Sequence, residues 1–155
     1  MKILGIDPGT ATTGYGVIEN NHGKLKLVEY GCILTSKLKT LDERLVEIFS
    51  DLNKIIKKHR PQILAVESVF FHKNLKTAIS VAHARGIVLL CARKNKLRLV
   101  EFTPLQVKNI LTGYGKADKK QVQYMVKAQL GLKNIPKPDD AADAVAIAIS
   151  AANAK

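Results

Sequence analysis

Apolar positions in the first third of the chain come in short runs, and the first of them ends in an acid. Residues 3–6 are apolar, Asp7 follows, and Pro8, Gly9 and Thr10 come next. A run of this length closed by turn residues predicts a buried strand that delivers Asp7 to its carboxyl end. The glycine-broken stretch Gly14, Tyr15, Gly16 predicts a tight turn and return, with a second strand over residues 15–20. Asn21, His22 and Gly23 predict the next turn, and residues 24–35 a third strand, so the chain opens as a β-meander.

The period then changes from two to 3.6. Leu41, Leu45, Ile48, Leu52 and Ile55/Ile56 predict an amphipathic helix over residues 40–59 that stops before Pro61. Residues 62–66 form a short apolar run into Glu67, again a strand ending in an acid. Leu75, Ala78, Ile79, Ala82, Gly86 and Leu89/Leu90 mark a helix over residues 75–94. Its small residues Ala82 and Gly86 suit close approach, either of its own sheet or of a second subunit. Residues 97–102 predict a strand. Thr103 and Pro104 read as an N-cap and first helical position for a short helix to Leu111. Residues 113–116 read as a loop. Asp118 caps a helix over residues 119–130 that Gly131 closes. A proline-bearing connection over residues 133–138 leads to a last helix that starts at Asp139 or Asp140. Three strands, helix, strand, helix, strand, helices is an α/β order on a mixed sheet. With no internal repeat or linker, residues 1–155 read as one domain.

Charge narrows the function. Lys plus Arg number 25 against 13 acids, for a net charge of +12 and a pI near 9.8. Such an excess favours a polyanionic partner, most simply nucleic acid. Basic segments fall at residues 54–60, 73–76, 93–98 and 116–120, some expected along a DNA path and others as solvated faces. Cys32 and Cys91 lie in apolar runs without metal-ligand spacing and read as buried reduced thiols. The N-terminus begins directly with a strand, and no run is long enough to span a membrane, so the expected location is cytoplasmic.

The acids supply the candidate chemistry. Asp7 and Glu67 share a sheet end if their strands are parallel neighbours. Asp139, Asp140 and Asp143 open an otherwise apolar helix, where Asp140 and Asp143, three apart, share a face. Asp139 or Asp140 can also serve as a helix cap. Gathered in one cleft, these carboxylates repel one another unless cations neutralise them. An all-oxygen site suits Mg²⁺ or Mn²⁺, and two such ions about 3.5–4 Å apart can activate water against a phosphodiester. A basic chain with such a site reads as a nuclease; nucleotide hydrolysis is the other use of the same chemistry. The adjacent Phe70 and Phe71 cannot both face one core from a continuing strand, so either one is exposed to stack on unpaired bases or both tuck into loop or dimer packing.

These stretches, GIDPGTATTGYGV, AVESVFFHKN, ARGIVLL, FTPLQVKNILTGYGKADKKQVQYMV and DDAADAVAIAIS, closely resemble the RuvC family of bacterial Holliday-junction resolvases along essentially the whole chain. The resemblance implies an RNase H-like fold, a five-stranded mixed sheet flanked by helices on both faces. It implies a metal site at Asp7, Glu67, Asp140 and Asp143, with Mg²⁺ or Mn²⁺ and two ions per site. Many relatives carry one acid where this chain has Asp139 and Asp140; the three-residue spacing to Asp143 selects Asp140, and a one-turn geometry from Asp139 stays open. It further implies a homodimer, through the helix at residues 75–94, that nicks a four-way DNA junction symmetrically to leave 5′-phosphate and 3′-hydroxyl ends. Phe70 matches the family aromatic that reaches into the junction, and Lys108 and Lys119 match basic residues near the site, Lys119 as a catalytic group. Phe71, Lys73, Lys76 and Lys116 are further candidates for DNA contact, and a branch-migration complex is the implied partner. The competing classes are an actin-like or sugar-kinase ATP-binding domain, a catalytically silent junction binder, and an RNA-processing nuclease of similar fold.

Overall fold

The computed structural model describes residues 1–68 and 75–154, the side chains of 75–77 excepted. Strands β1 (Lys2–Asp7), β2 (Thr12–Asn21) and β3 (Lys24–Leu34) form the antiparallel meander. Helix α1 (Leu41–His59) leads to β4 (Ile63–Glu67), and α2 (Leu75–Lys94) to β5 (Arg98–Phe102). Both β4 and β5 run parallel to β1, giving a mixed sheet in the order β3-β2-β1-β4-β5. Helices α3 (Pro104–Thr112), α4 (Lys119–Gln129) and α5 (Asp139–Asn153) complete the chain.

The sheet divides the core in two. Leu4, Ile6, Leu64 and Val66 pack with Ile48, Leu52, Ala84 and Val88 of α1 and α2. Ile3, Ala65 and Ile18 pack on the other face with α3, α4 and α5. This is a period-two alternation on β1 and β4 alike. By the same alternation Asp7 and Glu67 belong to the α3–α5 face. Helix ends are set as the residues predict. The Thr103 hydroxyl accepts from the Gln106 N–H at 3.1 Å, and Pro104 follows it as the first residue of α3. Asp118 Oδ1 accepts from the Gln121 N–H at 2.8 Å, while Gln121 Oε1 accepts from the Asp118 N–H at the same distance. Each pair satisfies two donors that a helix start leaves orphaned.

Three expectations change. The second strand begins at Thr12 rather than Tyr15, so Gly14 is a strand residue rather than part of a turn. The N-cap of α5 is Pro138, with no side-chain cap bond, so neither Asp139 nor Asp140 caps it. Cys32 is only partly buried, whereas Cys91 is fully buried; both are free thiols. Among the described residues no helix is long and apolar enough to cross a membrane.

Candidate active site

The site forms where β1 and β4 end. They are parallel neighbours in the register Ile6 with Val66, so Asp7 and Glu67 leave adjacent strands at the same sheet end. Strands in a sheet lie about 4.8 Å apart. The acids of the third segment arrive on α5, which is buried almost all round from Ala141 to Ser150. Such a helix has to sit deep in the fold, and glycines let it. A Cβ on Gly14 would stand 2.0 Å from the Asp140 carbonyl oxygen, and one on Gly5 2.1 Å from that of Ala144. A Cβ on Gly16 would stand 2.5 Å from Val145 Cγ2. With no side chains there, the backbone of α5 rests directly on β1 and β2. Gly14 is paired with Asp7 across the strands, so the start of α5 comes down beside Asp7.

Lys108 and Lys119 reach the same place from α3 and α4. A cleft of about 280 Å³ is lined by Glu67, Lys108, Lys119 and Asp143, with Val107, Val122 and Ile147 as its apolar wall. Lys119 Nζ lies 3.0 Å from Asp143 Oδ2 and 3.2 Å from Asp139 Oδ2.

Electrostatics shows the acids acting on one another. Burial, then the charges of Glu67, Asp143 and Asp140, push the Asp7 carboxyl up to about 7, against an opposing pull from Lys119. Burial and Asp143 raise Glu67, opposed by Lys108. Burial raises Asp143, and Lys119 only partly offsets it. Asp139 stands at the edge of this group: its charge also raises Asp143, while its own exposed carboxylate is held below the usual range by its bond to Lys119. Four carboxylates with too little positive charge among them form an oxygen donor set that suits a hard divalent cation. Among the described residues no three of these acids already close on one point as a finished ligand cage.

The raised Asp7 predicts a pH dependence. Its native carboxyl keeps a proton that the unfolded chain has lost, so without metal the fold loses stability as pH rises from about 4 to about 7. The difference of about three pKa units corresponds to up to ~4 kcal/mol. Melts in chelator from pH 4 to 8 should therefore slope downward, and Asp7→Asn should flatten that slope. An unchanged slope in the variant would mean that Asp7 does not carry it.

Of the other predicted residues, Lys116 lies in the turn before α4 and is exposed. Phe70, Phe71 and Lys73 lie outside the described residues, as does the side chain of Lys76. The basic runs 54–60 and 93–98 frame the opposite end of the sheet. There the Gln62 N–H donates to Lys2 O at 3.0 Å and the Arg98 N–H to Gln62 O at 3.1 Å. The length of β1, roughly 17 Å at ~3.3 Å per residue, separates them from the acids. They are therefore not neighbours of the site, unlike the run 116–120. Gln123, not singled out in the sequence, donates from Nε2 to Asp139 Oδ1 at 3.2 Å. Its only signal was its place one helical turn after Lys119.

A family model described as crossover junction endodeoxyribonuclease RuvC matches residues 3–151. The protein of that name from Fusobacterium nucleatum is 52% identical over 99% of this chain and 80% of its own length. Its counterpart in Desulforamulus reducens is 54% identical over 96% of this chain and 91% of its own. A solved structure of Thermus thermophilus RuvC in complex with a Holliday junction substrate superposes with a TM-score of 0.93, at 36% identity, over 99% of this chain and 93% of that one.

Proposed function

The chain belongs to the RuvC family of crossover junction endodeoxyribonucleases, and from that premise we propose that its carboxylate cleft resolves four-way DNA junctions by metal-dependent nicking. The observation that carries the reading is the convergence of Asp7, Glu67 and the start of α5 at one sheet end, in a chain of net charge +12. Asp7, Glu67, Asp140 and Asp143 would hold two divalent cations, Mg²⁺ or Mn²⁺. When bound, these ions supply activation of water and stabilisation of the leaving oxygen. The protein's own groups do the rest. The four acids line one partly buried sheet end, and their side chains would draw together around the cations. Lys108 of α3 and Lys119 of α4, both lining the cleft, offset the negative charge of a phosphate drawn against the acids. Val107, Val122 and Ile147 exclude water on one side and so strengthen each charge interaction. The products of this reading are 5′-phosphate and 3′-hydroxyl ends.

The exposed face of α2 fits a homodimer. Ile79 and Leu90 are 50% and 47% exposed, and Ala82 and Gly86 lie between them at helical spacing. The opposite face, with Ala84, Val88 and Cys91, is fully buried against the sheet. A two-fold pair supplies two equivalent sites for two equivalent nicks, on junctions that a branch-migration complex would deliver. Gly86→Arg tests this surface. A Cβ there meets no atom within 4 Å, so the fold should melt within a few degrees of the parent. Sedimentation should show a monomer, and the paired nicks should become independent. A variant that remains dimeric would move the interface elsewhere.

The test of the function is cleavage of a labelled four-way junction beside a linear duplex of the same sequence, with and without Mg²⁺. Symmetric nicks on the junction alone, and only with metal, are expected. Cleavage of RNA in preference to the junction, or ATP binding without nicking, would replace the reading.

A further inference from the structure

Lys119 carries one positive charge and is shared by two carboxylates. Asp143 and Asp139 stand one turn apart on α5, and each presents Oδ2 to the same ammonium, at 3.0 and 3.2 Å. The second oxygen of Asp139 accepts from Gln123 Nε2 at 3.2 Å. Lys119 and Gln123 are themselves one turn apart on α4. Asp139 is therefore engaged at both oxygens by α4. It is also the more open of the two acids, 64% exposed against 36% for Asp143, and it makes no cap to its own helix.

We propose that Asp139 is a positioning residue and not a cation ligand: together with Gln123 it holds Lys119, so that Asp143 is free to take a divalent cation. The proposal rests on the reading of Asp143 as part of the cation site. A cation arriving at Asp143 competes with the ammonium for the carboxylate, of which Lys119 holds one oxygen, Oδ2. If Asp143 were the only acceptor, Lys119 would give up its ion pair outright or stay and compete. With Asp139 beside it, the ammonium gives up one of its two carboxylates and keeps the other. Lys119 also stays in the cleft, where a phosphate can meet it. The second acid of the Asp139–Asp140 pair thereby acquires a use distinct from that of its neighbour.

The experiment is a calorimetric titration of the full chain with Mn²⁺, without DNA, on the parent, Asp139→Asn, Lys119→Met and the double variant. Asp139→Asn keeps the shape of the side chain, and a thermal melt checks that it folds. It should weaken Mn²⁺ binding about fivefold, the upper range for an exposed ion pair. In the Lys119→Met background the same substitution should change binding by less than about twofold, because the competitor is gone. Unchanged binding in Asp139→Asn would overturn the proposal. Equal weakening in both backgrounds would also overturn it, since Asp139 would then act by its own charge or as a ligand. Asp143→Asn runs alongside. If that variant binds Mn²⁺ as the parent does, the reading of Asp143 as a cation ligand fails and the proposal falls with it, whereas loss of binding there confines any failure to Asp139.

Discussion

Asp7→Asn is expected to reduce junction cleavage by at least about 10³-fold while junction affinity stays level or tightens. Losing a group that merely supports a metal ligand typically lowers activity about 10–100-fold, and Asp7 stands among the proposed ligands themselves. It is the acid on which the charges of Glu67, Asp140 and Asp143 all act. The amide is nearly isosteric but carries no charge, so the site loses the donor that its cations most need. Affinity for DNA is set mainly by Lys and Arg contacts to phosphate, and removing a negative charge from the cleft does not weaken them. Fold stability should move in the opposite direction to activity. In chelator at pH 8 the variant should melt above the parent, because the parent there carries a buried carboxylate crowded by like charges. A gel-shift titration, a cleavage time course and a melt, run on one preparation, test the three parts together. Equal loss of binding and cleavage would make Asp7 a structural residue.

Gly14→Ala is expected to lose at least about 10²-fold in cleavage and about 1–3 kcal/mol in stability, although Gly14 touches no substrate. A methyl at this position would lie 2.0 Å from the Asp140 carbonyl oxygen and 2.5 Å from its carbon. Both atoms are backbone, so no rotamer change relieves the clash and the first turn of α5 must lift. Overpacking of this kind typically costs about 1–3 kcal/mol. The lift carries Asp140 and Asp143 away from Asp7, and a displacement of about 1 Å at a reacting centre can lower the rate about 10²-fold. Junction binding should survive, since Lys108 and Lys119 lie on α3 and α4. Metal affinity should weaken together with cleavage, which separates a displaced site from an unfolded one. Full activity in Gly14→Ala would mean that α5 is not seated by this contact.

Much of the fold was legible because its signals are local. Short apolar runs marked strands, spacing of 3.6 marked α1 and α2, and Thr103–Pro104 and Asp118 marked the starts of α3 and α4. The acids that converge at the sheet end were legible for a related reason. A charged residue at the end of a buried strand, or inside an apolar helix, contradicts its surroundings, and that contradiction can be read one residue at a time. Gly14 reads as part of a turn in the sequence and is a strand residue in the structure. Glycine breaks a strand pattern in the same way whether it bends the chain or admits another backbone, and local sequence does not separate the two. The pairing of Lys119 with Asp139 and Asp143 was not legible either. It joins residues 20 and 24 positions apart on two helices, and only their docking brings them together.

The sequence by itself determined the element order, the strand-end acids, the basic charge and, through its motifs, the family. Each of these depends on residue type and short-range spacing. The tertiary structure alone decided three further matters. The glycines of β1 and β2 form the seat of α5, since a close approach exists only between two backbones. The runs 54–60 and 93–98 lie at the end of the sheet away from the acids, because the direction of β4 and β5 sends them there. Asp139 and Asp140, adjacent and chemically identical, have different surroundings: one faces α4 and its lysine, and the other lies over Gly14 beside Asp7. Successive residues on a helix point about 100° apart, so what each one meets is set by whatever packs on that side.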